Sequence, residues 1–288
     1  MASSEKMHDL LQKFDRAVRL HQSERSAVLK DPLVRDPTTV QIFGNRFICS
    51  NTENAAKWIA DAIMHPKSTP RLVTHVNVHN LRCMSPELRD TVQGRSWFLL
   101  EGIGLKIACL LTKGWVPPDT NGTDLFPALL DQLHGTPCRL FLLGSRAHIT
   151  ALAIQKIQGR WPHVEVVGFR DGYFSSHEIP TIRDEVARAR PELLLIGLGA
   201  PRQETIALEF LHVPCLRVVW TVGGLFDFLS GRTPRAPTLI RSIRFEWLFR
   251  IFVQPRRLAL RYMADGLWLI KSSLYEWYQW AKHKRLDR

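Results

Sequence analysis

The residues able to do chemistry in this chain cluster in short glycine-bearing segments. Asn77-Val78-His79-Asn80-Leu81, with His75 just before it, offers amides and imidazoles. Glu101-Gly102-Ile103-Gly104 sets one carboxylate inside an otherwise apolar run, 97–111. Desolvation strengthens a carboxylate as a base, so Glu101 is the candidate to take a proton from an attacking hydroxyl. Gly199-Ala200-Pro201-Arg202-Gln203-Glu204 joins an amide and an acid at an expected helix start. Gln203 can pair with a base edge through its donor and acceptor, and Glu204 can cap the helix. Asp171-Gly172-Tyr173-Phe174 and Gly223-Gly224-Leu225-Phe226-Asp227 each place one acid against an apolar cluster, as a helix cap or as a ligand contact. Gly144, Gly168, Gly197, Gly199, Gly223 and Gly224 follow expected strands, where glycine either makes a tight turn or turns N–H groups toward phosphate. Neither a complete dinucleotide fingerprint nor a Walker loop is present. No Asp-x-Asp pair offers the clustered oxygens that a metal diphosphate needs, so the expected chemistry uses no metal and no cofactor.

These segments need a scaffold, and the pattern supplies one. Apolar strands are expected at 71–78, 139–143, 164–167, 193–196 and 218–222, with a strand or hairpin over 40–49. Helices are expected at 54–64, 80–91, 147–158, 179–189 and 203–211. Wholly apolar strands separated by helices imply a parallel sheet covered on both faces. The expected fold class is therefore α/β: a Rossmann-like catalytic domain over 38–230, with ligands at the carboxyl ends of its strands.

The flanks differ from this body. Residues 1–37 read as a polar, mostly helical arm. The chain's opening nine residues are polar with no apolar run behind them, so no secretory leader is expected. From Arg232 onward thirteen basic residues face four acidic ones, a net +9, while the other 231 residues share the remaining +3 of the chain's +12. Four of nine Trp and three of four Tyr lie in this same tail. Leu260, Met263, Leu267, Ile270, Leu274, Trp277 and Ala281 step by three and four, an apolar helical stripe. Residues 231–288 thus read as a basic, amphipathic helical appendage, suited to an anionic membrane surface or to a homo-oligomer interface. No uncharged run is long enough to span a bilayer, and five scattered cysteines form no disulfide or zinc pattern.

Taken together, the segments resemble the WecG/TagA/CpsF glycosyltransferases (family 26). The resemblance rests on those above and on Gly122-Thr123-Asp124-Leu125, Phe141-Leu142-Leu143-Gly144, Gly231-Arg232-Thr233-Pro234-Arg235-Ala236-Pro237, Glu246-Trp247 with Arg250, and Pro255-Arg256-Arg257. It implies inverting transfer of a sugar from a UDP-sugar to an undecaprenyl-diphosphate-linked saccharide at the cytoplasmic face of the bacterial inner membrane. It also implies roles: Glu101 as general base where the family usually has Asp, Asn77 on the acceptor side, and His75 where Thr is common. Gln203 would contact the nucleotide, Asp227 the active site, and Arg250 and Arg257 the diphosphate. Gly102, Gly104, Asp124, Gly144, Asp171, Tyr173, Gly199, Glu204, Gly223, Gly224 and Arg235 complete the expected substrate-binding set. The departures at residues 75 and 101, with the N-terminal extension, point to the exopolysaccharide branch, β-1,4-glucosyl transfer of the xanthan type. The alternative is transfer of N-acetylmannosamine or its uronate, as in wall teichoic acid or enterobacterial common antigen synthesis. A basic nucleic-acid binder is the rival from another class. The near-neutral body holds the glycine loops and has no nucleic-acid motif, so no nucleic-acid partner is expected.

Overall fold

The computed structural model describes residues 39–65, 69–118, 120–237, 246–253 and 255–286. The expected N-terminal arm lies outside the described residues, as do Arg241 and Arg244.

Eight strands form one sheet: β1 (Thr39–Ile42), β2 (Asn45–Ile48), β3 (Arg71–Val76), β4 (Ser96–Leu100), β5 (Cys138–Gly144), β6 (Val164–Arg170), β7 (Leu193–Gly197) and β8 (Val218–Thr221). Their spatial order is β1-β2-β4-β3-β8-β7-β5-β6. Among the described residues only the β1–β2 hairpin is antiparallel. The expected Rossmann-like α/β architecture is therefore the one observed, with a hairpin on one edge. Alternate residues of the central strands enter two cores. Leu72, Val76, Leu194, Ile196 and Val219 face one layer, and Val73, Leu193, Leu195, Val218 and Trp220 face the other. Such two-sided burial explains why these strands read as continuous apolar runs.

The first layer holds α2 (Val78–Cys83), α3 (Pro86–Arg95), α4 (Ile103–Lys113), α7 (Ile179–Ala189) and α8 (Arg202–Glu209). The second holds α1 (Thr52–Met64), α5 (Gly122–Gln132), α6 (Ala147–Arg160) and α9 (Leu225–Leu229). The chain leaves β3 and β7 toward the first layer and β8 toward the second. Their loops part above the centre of the sheet, which opens a crevice of the kind that binds ligands in such folds.

One local expectation changes. The single helix expected over 80–91 is two helices, because Ser85 caps a new start with its hydroxyl accepting the Leu88 N–H (3.2 Å) and Pro86 follows at the first helical position. The apolar run 97–111 is strand β4 followed by helix α4. The break falls at Glu101-Gly102, where Gly102 takes φ +90°, a conformation that favours glycine.

Beyond the body lie α10 (Glu246–Val253) and the 32-residue α11 (Pro255–Leu286), which packs against α2 and α4. Its inner face carries Leu258, Asp265, Trp268 and Leu269, while the apolar stripe points outward: Leu260, Met263, Leu267, Ile270, Leu274 and Trp277 are 60–72% exposed. This inverts the usual arrangement of a soluble surface helix.

Polar contacts tie the inner face to the body. Asp265 accepts from Arg82 Nε (2.7 Å) and pairs with His79 Nδ1 (3.3 Å). Glu276 pairs with Lys113 and accepts the Phe43 N–H (both 3.0 Å), and Phe43 meets Trp268 edge-on. Burial pushes the Asp265 carboxyl up, but the hydrogen bonds and charges of His79 and Arg82 outweigh it and hold the group below its ordinary value. A depressed carboxylate contributes stability above its unfolded pKa and loses it as pH falls through the folded one. Asp265→Asn is therefore expected to cost roughly 2 kcal/mol at pH 7, discounted for the partial exposure of Arg82 and His79. The difference from wild type should shrink as the pH falls below about 3.9, the ordinary Asp value. Urea midpoints at both pH values check this; a pH-independent difference would refute it.

Candidate active site

Strand register brings the singled-out residues onto one level. Leu100 pairs with Val76, Thr74 with Thr221, Thr221 with Ile196, and Gly144 with Gly197. Counted on past the strand ends, the same register level is a row of loop positions, Glu101, Asn77, Gly224, Gly199 and Arg146, following β4, β3, β8, β7 and β5. At about 4.8 Å per strand the row runs roughly 19 Å, room for two substrates side by side.

At one end, Glu101 is half-buried and its N–H donates to Val76 O (2.9 Å). A Cβ on neighbouring Gly102 would sit 3.7 Å from Asn77 Cβ, so the carboxylate's turn lies directly against Asn77. Asn77 caps α2 reciprocally with Asn80: Asn77 Oδ1 accepts the Asn80 N–H (3.2 Å), and Asn80 Oδ1 accepts the Asn77 N–H (3.4 Å). Beside them, Asn121 caps α5, and Arg235 donates to Asp124 (2.7 Å) and Thr123 (3.1 Å). Arg235 thereby ties the segment after α9 to the start of α5.

Toward the other end, three loops close on one another. Arg202 donates to the carbonyls of Gly172 (2.7 Å) and Phe174 (2.6 Å) and lies over the Phe174 ring, holding the 171–174 turn in place. Asp171 shapes that turn by accepting the Tyr173 N–H (2.8 Å), which leaves Tyr173 73% exposed with its hydroxyl accepting from Arg146 Nε (3.3 Å). Asp227 lies 3.6 Å from Arg232. Gly199 (φ +77°) and Gly223 (φ +53°) face open space, so ligand can come close to their backbone.

Several expected substrate contacts are corrected by their surroundings. Glu204 is fully buried, with Oε1 accepting from Asn80 and Gln203, and no ligand reaches it. Gln203 is also buried. Its Oε1 accepts the N–H groups of Gly199 (3.2 Å) and Gly223 (3.0 Å), so its amide ties two loops together instead of presenting itself to a base, and those two N–H groups are not aimed at phosphate. His75 is buried against Trp220 (rings 5.6 Å apart, stacked), with Nδ1 3.0 Å from Thr120 O; it anchors the segment ahead of α5. Gly144 and Gly104 are glycine for packing reasons: a Cβ would fall 2.3 Å from Gly197 O at the first and 2.7 Å from Val78 Cγ2 at the second. Gly224 stands at the start of α9 in the row itself. Arg250 and Arg257 lie on α10 and α11; their side chains are outside the described residues. Arg146, which is not among the residues expected from the sequence, supplies a cation to the row. Its signal was its place two residues after the glycine ending β5.

Among the described residues no three His, Cys, Asp or Glu side chains converge as a metal site requires, and no helix is long and apolar enough to cross a membrane.

Fold and site together define a doubly covered α/β protein with a crevice at the carboxyl ends of its strands, Glu101 at one end and Arg146 with the glycine turns at the other. Similarity makes the class specific. The family model described as Glycosyl transferase WecG/TagA/CpsF family matches residues 40–283, and the chain belongs to that family. Its relatives include two proteins named N-acetylglucosaminyldiphosphoundecaprenol N-acetyl-beta-D-mannosaminyltransferase. The one from Bacillus spizizenii is 28% identical over 173 residues, 60% of this chain and 66% of the relative. The one from Bacillus subtilis is 29% identical over 168 residues, 58% of this chain and 65% of the relative. The chain thus matches just under two thirds of the length of each.

Proposed function

We propose that this chain transfers an N-acetylmannosamine-type sugar from a UDP-sugar to an undecaprenyl-diphosphate-linked N-acetylglucosamine. The observation that carries the reading is the row itself: Glu101 against Asn77 at one end, open glycine turns and Arg146 at the other. The relatives' names support N-acetylmannosamine, the alternative read from the sequence, over the glucose first expected.

In this reading the acceptor hydroxyl lies by Glu101, which takes its proton as the oxygen attacks the anomeric carbon. The bond from that carbon to the diphosphate breaks, and its electron pair leaves with UDP. The developing negative charge falls to arginines and helix N-termini. Arg146 and Arg232 stand beside the nucleotide-side loops, and Arg235 beside Asp124, with Arg250 and Arg257 supplied by the appendage. The outward stripe and basic tail would hold the enzyme peripherally on the cytoplasmic membrane face, where a lipid-linked acceptor resides.

The test is a donor panel. Lipid-linked N-acetylglucosamine acceptor is incubated with UDP-N-acetylmannosamine, UDP-glucose and UDP-N-acetylglucosamine, with and without EDTA. Transfer from UDP-N-acetylmannosamine that survives EDTA is expected. Transfer from UDP-glucose alone would restore the exopolysaccharide reading, and loss in EDTA would overturn the metal-free mechanism.

A further inference from the structure

A single hydrogen-bonded chain crosses the crevice beneath the row. It starts at the reciprocal cap of Asn77 and Asn80, at the end of β3. Asn80 Nδ2 then donates to Glu204 Oε1 (3.0 Å), and Gln203 Nε2 donates to the same oxygen (2.9 Å). Gln203 Oε1 in turn accepts the N–H groups of Gly199 and Gly223. Glu204 is 0% exposed, Gln203 3% and Asn80 6%, so water cannot substitute for any link.

The chemistry of the links singles out one atom. Both amides can flip, and each has a donor and an acceptor end. Were Gln203 reversed, its NH2 would meet two backbone N–H groups. Were Asn80 reversed, its NH2 would meet the Asn77 N–H. The Glu204 oxygen takes a donor from each amide and so selects the orientation of both. At Gly199 and Gly223 nothing packs within 4 Å of where a side chain would begin, so on that side the turns are open, and the Gln203 bridge ties them together from beneath.

We propose that Glu204 is a positioning residue: its Oε1 fixes the Gln203 and Asn80 amides, and through them keeps the Gly199 and Gly223 turns in register with Asn77. Glu204 Oε2 has no hydrogen-bond partner among the described residues, and burial raises the pKa of the carboxyl. Either form of the group leaves Oε1 as acceptor. An uncharged carboxamide does the same, so the charge itself is dispensable.

The role in catalysis rests on the reading of these two turns as the donor side, and the experiment separates the two claims. Amide hydrogen exchange at Gly199 and Gly223 is measured alongside steady-state kinetics with UDP-N-acetylmannosamine and lipid-linked N-acetylglucosamine. For Glu204→Leu, exchange at both glycines should rise at least about tenfold, the equivalent of one buried hydrogen bond, while β5 amides stay protected. The donor KM should rise similarly and the acceptor KM by less, because Asn77 and Asn80 keep their reciprocal cap. Glu204→Gln should match wild type within about threefold in every readout, since it keeps the acceptor oxygen. Should the leucine variant fail to fold, Gln203→Met, which removes the bridging amide directly, should show the same exchange signature. Unchanged exchange in the leucine or methionine variant overturns the proposal, as does a glutamine variant no better than the leucine one. Raised exchange with an unchanged donor KM supports the positioning role and instead refutes the donor-side assignment of the turns.

Discussion

Glu101→Gln is expected to lower sugar transfer by about 10²- to 10⁴-fold, the range a positioned general base contributes. The substitution keeps size and shape and removes only the capacity to accept a proton as the acceptor oxygen attacks. Glu101 stands at the end of β4, where its N–H donates to Val76 O and its turn lies against Asn77. The Gly199 and Gly223 turns are on β7 and β8, beyond the intervening β3. UDP affinity, read by calorimetry, should therefore stay within a few-fold of wild type while turnover collapses. Turnover within a few-fold of wild type would remove Glu101 from the role of base. Loss of UDP binding and turnover together would instead place it on the nucleotide.

The second large effect concerns α11. Leu267→Glu, Ile270→Glu and Leu274→Glu combined are expected to reduce binding to vesicles containing anionic phospholipid by at least about 100-fold. Fully burying each aliphatic side chain contributes about 1.5–3 kcal/mol; even shallow insertion of all three gives roughly 3 kcal/mol, and each 1.4 kcal/mol is tenfold. New carboxylates facing anionic headgroups oppose binding further. All three positions are 60–69% exposed, so the melting temperature should hardly move. Deleting the appendage would be a poorer test, because Trp268 and Leu269 pack against the body's core and their loss would destabilise it. Cosedimentation reads the result, with sedimentation velocity run in parallel. Undiminished vesicle binding would refute the docking role. A wild type that ignores vesicles and dimerises, with a monomeric variant, would assign the stripe to self-association.

Much of this was legible along the chain. Two-sided burial writes itself as uninterrupted apolar runs, so β3, β5, β7 and β8 were readable from residue order alone, and with them the carboxyl-end loops that hold the site. The position of Glu101 was readable for a related reason: a lone carboxylate interrupting an apolar run marks the turn between strand β4 and helix α4. Less legible was the split at Ser85-Pro86, a local capping signal inside a longer helical pattern. The amphipathic stripe of α11 was visible, but periodicity gives a helix's apolar face without saying which way it points. The orientation came from Asp265 and Glu276, whose partners Arg82, His79, Lys113 and Phe43 lie more than 160 residues away.

The division follows from the range of the forces. By itself the sequence determined the α/β fold, the glycine loops, the candidate base and a basic aromatic tail, because these depend on burial periodicity and backbone preference among near neighbours. Tertiary structure decided which polar residues face ligand and which face each other. Gln203, Glu204 and His75 carry groups suited to substrate, yet the fold closes them against Gly199 and Gly223, Asn80, and Thr120 and Trp220. A buried polar group must find its partner inside the protein, and which partner it finds depends on the packing of strands far apart in sequence.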